Sequence, residues 1–198
     1  MSTQSTKFEV DYEIDDNQLL DLVKEIKEPL LIEEIDLQYI QSTDNSLIPL
    51  FQACKNVKKV IIGESRITDN GLIALFENCP HVTELDCSNT EITDESLTKL
   101  PYHNLTHLDL GYCNSDITNK SISHLATICT NLIHLNISYN EEITSRSLEK
   151  LLTKNPNLKE LIIDGCTGLS SGITKTIDEL KLTTFSYSYC PNLCNDYD

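Results

Sequence analysis

The chain has 198 residues, and its 31 acidic and 15 basic side chains give a net charge of −16 at neutral pH. Such an acidic surface repels the phosphates of nucleic acids and of anionic membranes, so we expect neither as a partner. Aromatic residues make up only 6% of the chain and tryptophan is absent, so the core must be built mainly from leucine and isoleucine.

The N-terminal segment predicts a disordered start followed by a cap. We expect residues 1–7 to be disordered and residues 8–30 to form a strand and a helix that cover one end of the domain. Apolar and acidic residues alternate over residues 8–14, which is typical of a strand.

A short helix is predicted after this strand. Asp15 or Asp16 is a suitable N-cap, and Pro29 ends the helical pattern. The first 16 residues contain no apolar signal sequence, and no apolar run reaches the roughly 18 residues of a membrane span. We therefore expect an intracellular, cytoplasmic protein.

One phrase recurs seven times along the rest of the chain: an apolar residue, two others, an apolar residue, one other and a third apolar residue. Successive copies begin 25, 25, 23, 27, 26 and 24 residues apart. A period of about 20–29 residues with this spacing is typical of leucine-rich repeats, in which the phrase forms a strand. The copies begin at Ile32, Val57, Val82, Leu105, Leu132, Leu158 and Leu182.

A second phrase follows four of these strands and predicts a short helix. Its Thr or Asp is a good N-cap, and its apolar spacing places one helix face inward. The four copies begin at Ile67, Ile92, Ile117 and Ile143. Parallel strands joined by helices predict an α/β leucine-rich-repeat solenoid, a right-handed horseshoe with its parallel sheet on the concave side.

We place the repeats at residues 31–194, as about six repeats and a C-terminal half-repeat without its helix. Residues 195–198 are expected to be a frayed tail.

The eight cysteines mostly occupy repeat positions, which favours structural thiols over a disulfide scaffold. Cys87 replaces a strand leucine. Only Cys194 has no repeat position, and its spacing from Cys190 leaves a metal site or a disulfide between these two open as an alternative. The position three residues after a strand phrase holds Cys113, Cys166 and Cys190. The end of a predicted helix holds Cys54, Cys79 and Cys129.

These segments closely resemble the cysteine-containing leucine-rich repeat, which is known from the F-box/leucine-rich-repeat receptors of ubiquitin ligases. The resemblance covers residues 32–194, and it implies a horseshoe like that of ribonuclease inhibitor with a receptor-like surface. The segment before the first repeat lacks the Leu-Pro opening and the length of an F-box. A truncated docking element for the ligase scaffold in residues 8–28 is the alternative to a plain cap. The resemblance rests on Leu108-Asp-Leu-Gly-Tyr-Cys113, Ile117-Thr-Asn, Cys129-Thr-Asn-Leu132 and Cys79-Pro-His-Val82.

Residues between the apolar positions of each strand are predicted to face the concave side, in ladders about 4.8 Å apart. This face is acidic, with tyrosines along one edge. Tyrosine supplies contact area with little loss of entropy, so we expect a partner-binding surface that favours a basic protein. Its centre is Tyr112 and Tyr139 beside His107 and His134. The candidate residues are Tyr39, Asp86, His107, Asp109, Tyr112, His134, Asn136, Tyr139, Asp164 and Tyr189.

Simpler interpretations stay open for these residues. The tyrosines would then only pack on the strand ends, and the carboxylates would only keep the surface solvated. His107, His134 and Asp109 are a further alternative as a metal site, although no third fixed ligand is evident beside the two histidines.

The chain lacks Gly-x-Ser-x-Gly, P-loop and His-Glu-x-x-His motifs, so we expect no catalytic residues, no metal and no cofactor. A non-enzymatic protein–protein interaction module is therefore the predicted function. The alternatives are a ubiquitin-ligase substrate receptor or adaptor, with the ligase scaffold as a partner, and a GTPase-activating regulator, for which only Arg66 and Arg146 are available as arginines.

Overall fold

The computed structural model describes residues 6–10, 14–101, 104–113 and 116–193. Within them, short strands alternate with helices along the chain. The strands are β1 Lys7–Glu9, β2 Glu34–Asp36, β3 Lys59–Ile61, β4 Glu84–Asp86, β5 His107–Asp109, β6 His134–Asn136, β7 Glu160–Ile162 and β8 Thr184–Ser186. The helices are α1 Asp16–Glu25, α2 Asp44–Ala53, α3 Asp69–Asn78, α4 Asp94–Leu97, α5 Asn119–Ile128, α6 Ser145–Lys154 and α7 Thr174–Glu179.

All eight strands form one parallel sheet, in chain order. Each strand pairs with the next in the same register, so that Leu85, Leu108 and Leu135 lie side by side. Strands are about 4.8 Å apart, whereas packed helices need about 8–10 Å. The sheet therefore lies on the inner, concave side of the curve and the helices lie on the outer side.

The core runs continuously between the sheet and the helices. The central residue of each strand from β2 to β7 is buried, while its two neighbours in the strand are half-buried. Leucines on the inner faces of the helices, such as Leu72, Leu97 and Leu148, are fully buried against them. No single repeat closes this core, because each apolar layer is covered by the layers on both sides of it.

Neighbouring helices are tied together by one polar contact that recurs along the solenoid. In α2 to α5 a threonine caps the helix and accepts from a backbone N–H in the first turn, as in Thr93. The first residue of each helix from α1 to α6 then accepts a hydrogen bond from the residue that caps the next helical turn along the chain, which after α6 is the 3₁₀ turn Ser171–Ile173. We call these first residues the helix-start ladder: Asp16, Asp44, Asp69, Asp94, Asn119 and Ser145.

Asp94 illustrates the geometry of this ladder. Its carboxylate accepts from the backbone N–H of Thr118 at 3.0 Å and from the Thr118 hydroxyl at 2.6 Å. The backbone N–H and the hydroxyl of Ser121 donate to the same carboxylate. Burial alone would raise the pKa of Asp94, but these hydrogen bonds outweigh it and hold the pKa below its ordinary value. The pKa values of Asp16 and Asp69 are lowered in the same way.

The cysteines have the structural positions that the repeat predicts. Cys54, Cys79 and Cys129 end helices, and their backbone N–H groups donate to the carbonyl oxygens four residues earlier. Burial raises the pKa of Cys54 to about 11 and the pKa values of Cys79 and Cys129 to about 12, which keeps them as neutral thiols.

From the second repeat on, the position three residues after the strand phrase supplies a hydrogen-bond donor to a strand-end carbonyl, whereas the first repeat has the buried Ile40 there. Cys113 Sγ lies 3.4 Å from the carbonyl oxygen of Cys87, and Cys166 Sγ lies 3.1 Å from that of Ile137. In the repeat between them, Asn140 Nδ2 donates to the Ile137 carbonyl oxygen at 3.0 Å. Where this position is polar, donor capacity rather than thiol chemistry is therefore what the cysteine contributes.

The N-terminal unit differs from the sequence prediction in its boundaries. Disorder was expected up to residue 7, but the Thr6 carbonyl oxygen accepts from Glu33 N at 2.7 Å and β1 begins at Lys7. The strand is short because only Lys7–Glu9 is in register with β2. Helix α1 ends at Glu25, and Pro29 opens a 3₁₀ turn instead. The predicted disorder of residues 1–5, the tail at 195–198 and Cys194 lie outside the described residues.

Among the residues that the structure describes, no helix is long and apolar enough to cross a membrane.

We predict that Asp94→Ala lowers the free energy of unfolding by about 2 kcal/mol at neutral pH, because four donors lose one charged acceptor. The folded pKa is lowered, so this contribution is present above the unfolded pKa of about 3.9 and is lost as the pH falls through the folded value. Urea unfolding at neutral and acid pH measures both effects.

Asp94→Asn is the matched control, since Asn119 occupies the same ladder position and accepts from Thr144 N at 2.9 Å. The amide should retain part of the stability with less dependence on pH. Equal stability of Asp94→Ala and the parent at neutral pH would contradict the role of the ladder.

Candidate functional site

Two rows of side chains cover the concave face, one on each side of the buried central residues. Their order follows from the strand register. The first row is Glu34, Lys59, Glu84, His107, His134, Glu160 and Thr184, and the second is Asp36, Ile61, Asp86, Asp109, Asn136, Ile162 and Ser186. The rows hold six carboxylates and one lysine, so this face is acidic.

The carboxylates at the N-terminal end of this face are neutralised by lysines. Lys7 Nζ lies 2.9 Å from Asp36 and 3.7 Å from Glu34, and Lys59 Nζ lies 3.5 Å from Glu34. Lys7 thus acts on the concave face, which the sequence prediction of a disordered start missed.

The carboxylates in the middle of the face have no such partner. Within the described ranges, Glu84, Asp86 and Asp109 make no ion pair with a lysine or arginine. Burial raises the pKa of Asp109, partly opposed by hydrogen bonds from Gly111 N and Asn136, and the charge of Asp86 raises it further. A cation placed here would relieve this repulsion.

A shallow depression of about 210 Å³ lies over the same carboxylates. Its floor combines the polar rows with the apolar side chain of Ile61. The lining residues are Lys59, Val60, Ile61, Glu84, Leu85, Asp86, His107, Leu108, Asp109 and His134.

A third row, the turn ladder, borders the face where each strand ends: Tyr39, Glu64, Asn89, Tyr112, Tyr139, Gly165 and Tyr189. Every member has a positive φ, between 51° and 66°. This left-handed conformation lets the backbone N–H reach the next repeat, as when Tyr112 N donates to the Ser138 carbonyl oxygen at 2.8 Å. It costs an L-residue about 1–2 kcal/mol.

Sequence reasoning found the members of the turn ladder but missed their backbone conformation. The presence of Gly165 and Asn89 at this position was the available signal, because Gly and Asn are the residues that tolerate a positive φ. Tyrosine at four of the seven positions is unexpected, because a residue with a Cβ disfavours a positive φ.

Tyr112 and Tyr139 form the centre that the sequence predicts. Their rings stack with centroids 4.2 Å apart and planes 18° apart. The Tyr139 ring also covers Gly165, where an added Cβ would lie 2.6 Å from a ring carbon. Tyr112 remains 50% exposed. A hydrogen bond with Tyr112 raises the pKa of Tyr139, so the Tyr139 phenol stays neutral at physiological pH.

The two histidines also lie together. The rings of His107 and His134 are 5.9 Å apart and nearly parallel, and His134 Nδ1 lies 2.8 Å from Glu160 Oε2. His107 Nδ1 lies 3.0 Å from the Thr106 hydroxyl and 4.0 Å from Glu84 Oε1. No group of three or more metal-ligating side chains with suitable geometry occurs in the described part of the chain.

The other predicted residues divide into fold contacts and exposed positions. Asn136 bridges two repeats, because its Nδ2 donates to Asp109 Oδ2 at 2.9 Å. Asp164 accepts from the hydroxyl of Ser186 at 2.7 Å, which ties β7 to β8. Tyr39 and Tyr189, which are 42% and 77% exposed, lie near the two ends of the turn ladder and away from the stack.

Arg66 and Arg146, on which a GTPase-activating role would depend, are three repeats apart. Arg66 precedes α3 and Arg146 lies in the first turn of α6, so they do not share a site.

Comparison with known families identifies the repeat. A family model described as "Leucine Rich repeat" matches residues 78–100, 103–126 and 129–152. No curated protein matches the sequence.

Among solved structures, a chain of the yeast Rad7–Elc1 complex is similar over 92% of this chain and 56% of its own length, with 14% identity and a TM-score of 0.60. An internalin, inlF from Listeria monocytogenes, is similar over 89% of this chain and 52% of its own length, with 19% identity and a TM-score of 0.61. The chain thus spans about half the length of either. These matches confirm the α/β leucine-rich-repeat solenoid predicted from the seven-fold phrase.

We predict that glycine is better tolerated than alanine at Tyr189, where the side chain is 77% exposed and φ is 59°. Alanine keeps the strain of the left-handed backbone, whereas glycine removes it, so Tyr189→Gly should be more stable than Tyr189→Ala by about 1 kcal/mol. Thermal and urea unfolding of the two variants measure the difference.

The same pair of substitutions at Thr183, an exposed residue without a positive φ, should give the opposite order. If alanine were better than glycine at both positions, the strain attributed to the turn ladder would be wrong.

Proposed function

We propose that this leucine-rich-repeat solenoid is a protein-binding module that docks a basic partner on the middle of its concave face. The observation that carries the proposal is the group of carboxylates on β4 and β5, Glu84, Asp86 and Asp109, which no lysine or arginine neutralises among the described residues. Like charges held this close favour a cation from outside the chain.

The shape of the surface supports the same proposal. The concave rows lie on short paired strands, so their side chains start from a rigid backbone. The depression over β3 to β6 offers apolar area at Ile61 beside the carboxylates, and the exposed Tyr112 follows the lining residue Asp109 by three positions in the chain. Apolar and aromatic area supplies affinity, while the charges supply selectivity and a fast encounter.

The test measures binding before and after the central charge is reduced. The protein is immobilised, captured partners are identified by mass spectrometry from cell extract, and the affinity of each purified partner is then measured. We predict that Asp86→Asn with Asp109→Asn weakens binding roughly tenfold, about 1.4 kcal/mol, and that the loss shrinks at high salt.

The matched control is Glu77→Gln with Asp178→Asn, which makes the same change in net charge at exposed positions on the helices. It should leave the affinity within about twofold. Equal weakening by the two double variants would show that only net charge matters, and it would contradict a concave site.

A ubiquitin-ligase adaptor is the second candidate function. It is favoured by three exposed leucines of the N-terminal unit: Leu22, Leu30 and Leu31, which are 36%, 56% and 47% exposed. Exposed apolar side chains of this kind are a common contact for a second protein. The yeast neighbour is solved as a complex with a second protein, Elc1, and that association belongs to the yeast protein.

If this unit docks a ligase scaffold, Leu30→Glu with Leu31→Glu should abolish co-elution with purified ligase scaffold adaptor in size-exclusion chromatography. The concave variant Asp86→Asn with Asp109→Asn should still co-elute. Absence of co-elution for the parent chain would remove this candidate and leave the concave-face proposal unaffected.

A further inference from the structure

The stack of Tyr112 and Tyr139 has no third ring on its N-terminal side among the described residues. Tyr139 covers one face of the Tyr112 ring, since the two are neighbours in the turn ladder and lie 4.2 Å apart. The other face is turned toward the preceding repeat, where the ladder position holds the shorter, exposed side chain of Asn89. Among the described residues no second ring stacks on this side of half-exposed Tyr112, and we call the position beside it the Asn89 shelf.

The surroundings of the Asn89 shelf are acidic. One further ladder position along is the exposed carboxylate of Glu64, about 10 Å from Tyr112 at two strand spacings. Asp86 and Asp109 lie three residues before Asn89 and Tyr112 on the same two repeats. The shelf therefore offers an aromatic face together with unneutralised negative charge.

Resting on the proposed function, we propose that the Asn89 shelf receives an arginine side chain of the partner, with its guanidinium stacked on Tyr112. A guanidinium is planar and weakly hydrated, so it can continue the stack at the spacing of the two tyrosines while it faces the carboxylates. An ammonium group gains the charge interaction but has no flat face. The site should therefore distinguish arginine from lysine, whereas the acidic face alone does not.

The full chain is titrated with an arginine hexapeptide and a lysine hexapeptide of equal charge, and binding is followed by calorimetry and by the ring signals of the tyrosines in NMR. The arginine peptide should bind about fivefold more tightly and should shift the Tyr112 ring signals more than those of Tyr189. The preference should persist when added salt weakens both peptides.

Two variants locate the preference. Asn89→Tyr places a tyrosine where the backbone already accepts this residue at four equivalent positions, so it should fold normally and fill the shelf with a third ring. Tyr112→Ala removes the ring that the guanidinium needs. Both should lower arginine-peptide binding to the level of lysine. Circular dichroism and thermal unfolding confirm that the variants are folded.

The outcomes separate the two proposals. Equal binding of both peptides to the parent chain would overturn the arginine site and leave the acidic docking face standing. No binding of either peptide would count against both. An arginine preference that survives in folded Asn89→Tyr and Tyr112→Ala would place the selectivity elsewhere and overturn the inference.

Discussion

Each of the eight strands in the described part of the chain has only three residues and cannot persist alone. It is held because the strands on either side share its register and cover its central apolar side chain. The buried row through Leu85, Leu108 and Leu135 shows this dependence, since each leucine is enclosed by its counterparts in adjacent repeats. Nearest-neighbour stacking is thus the constraint from which the other features follow.

That same constraint builds the binding surface. Because all strands share one register, chemically different residues occupy equivalent positions in successive strands. A substitution in one repeat therefore changes one side chain of a row without disturbing the backbone. The turn ladder is the clearest example, because its left-handed backbone is satisfied by a hydrogen bond to the next repeat whatever the side chain. The hydrogen bond to the next repeat therefore offsets the conformational free-energy cost of a left-handed backbone at Tyr112 and Tyr139.

The repeat phrase was sufficient to predict the seven strands β2 to β8 and their parallel stacking in chain order, because apolar spacing at this period is typical of stacked repeats. It did not predict which lysines neutralise the carboxylates of the concave face. Lys7 neutralises Asp36 only because β1 joins the sheet, and that pairing depends on contacts made far away in sequence. Nor did it predict the four-residue length of α4, which is followed closely by Pro101.

The helix-start ladder changes in character along the chain. Its first four members are aspartates, but Asn119 and then Ser145 replace the carboxylate in the last two contacts. Ser145 Oγ accepts a single N–H, from Ser170 at 2.8 Å. The hydrogen bonds between neighbouring helices thus change from charge-assisted to neutral ones, which are about half as strong. On unfolding, the repeats near the C-terminal end should consequently lose their structure first. The result would be a partly unfolded intermediate in which the N-terminal repeats remain intact.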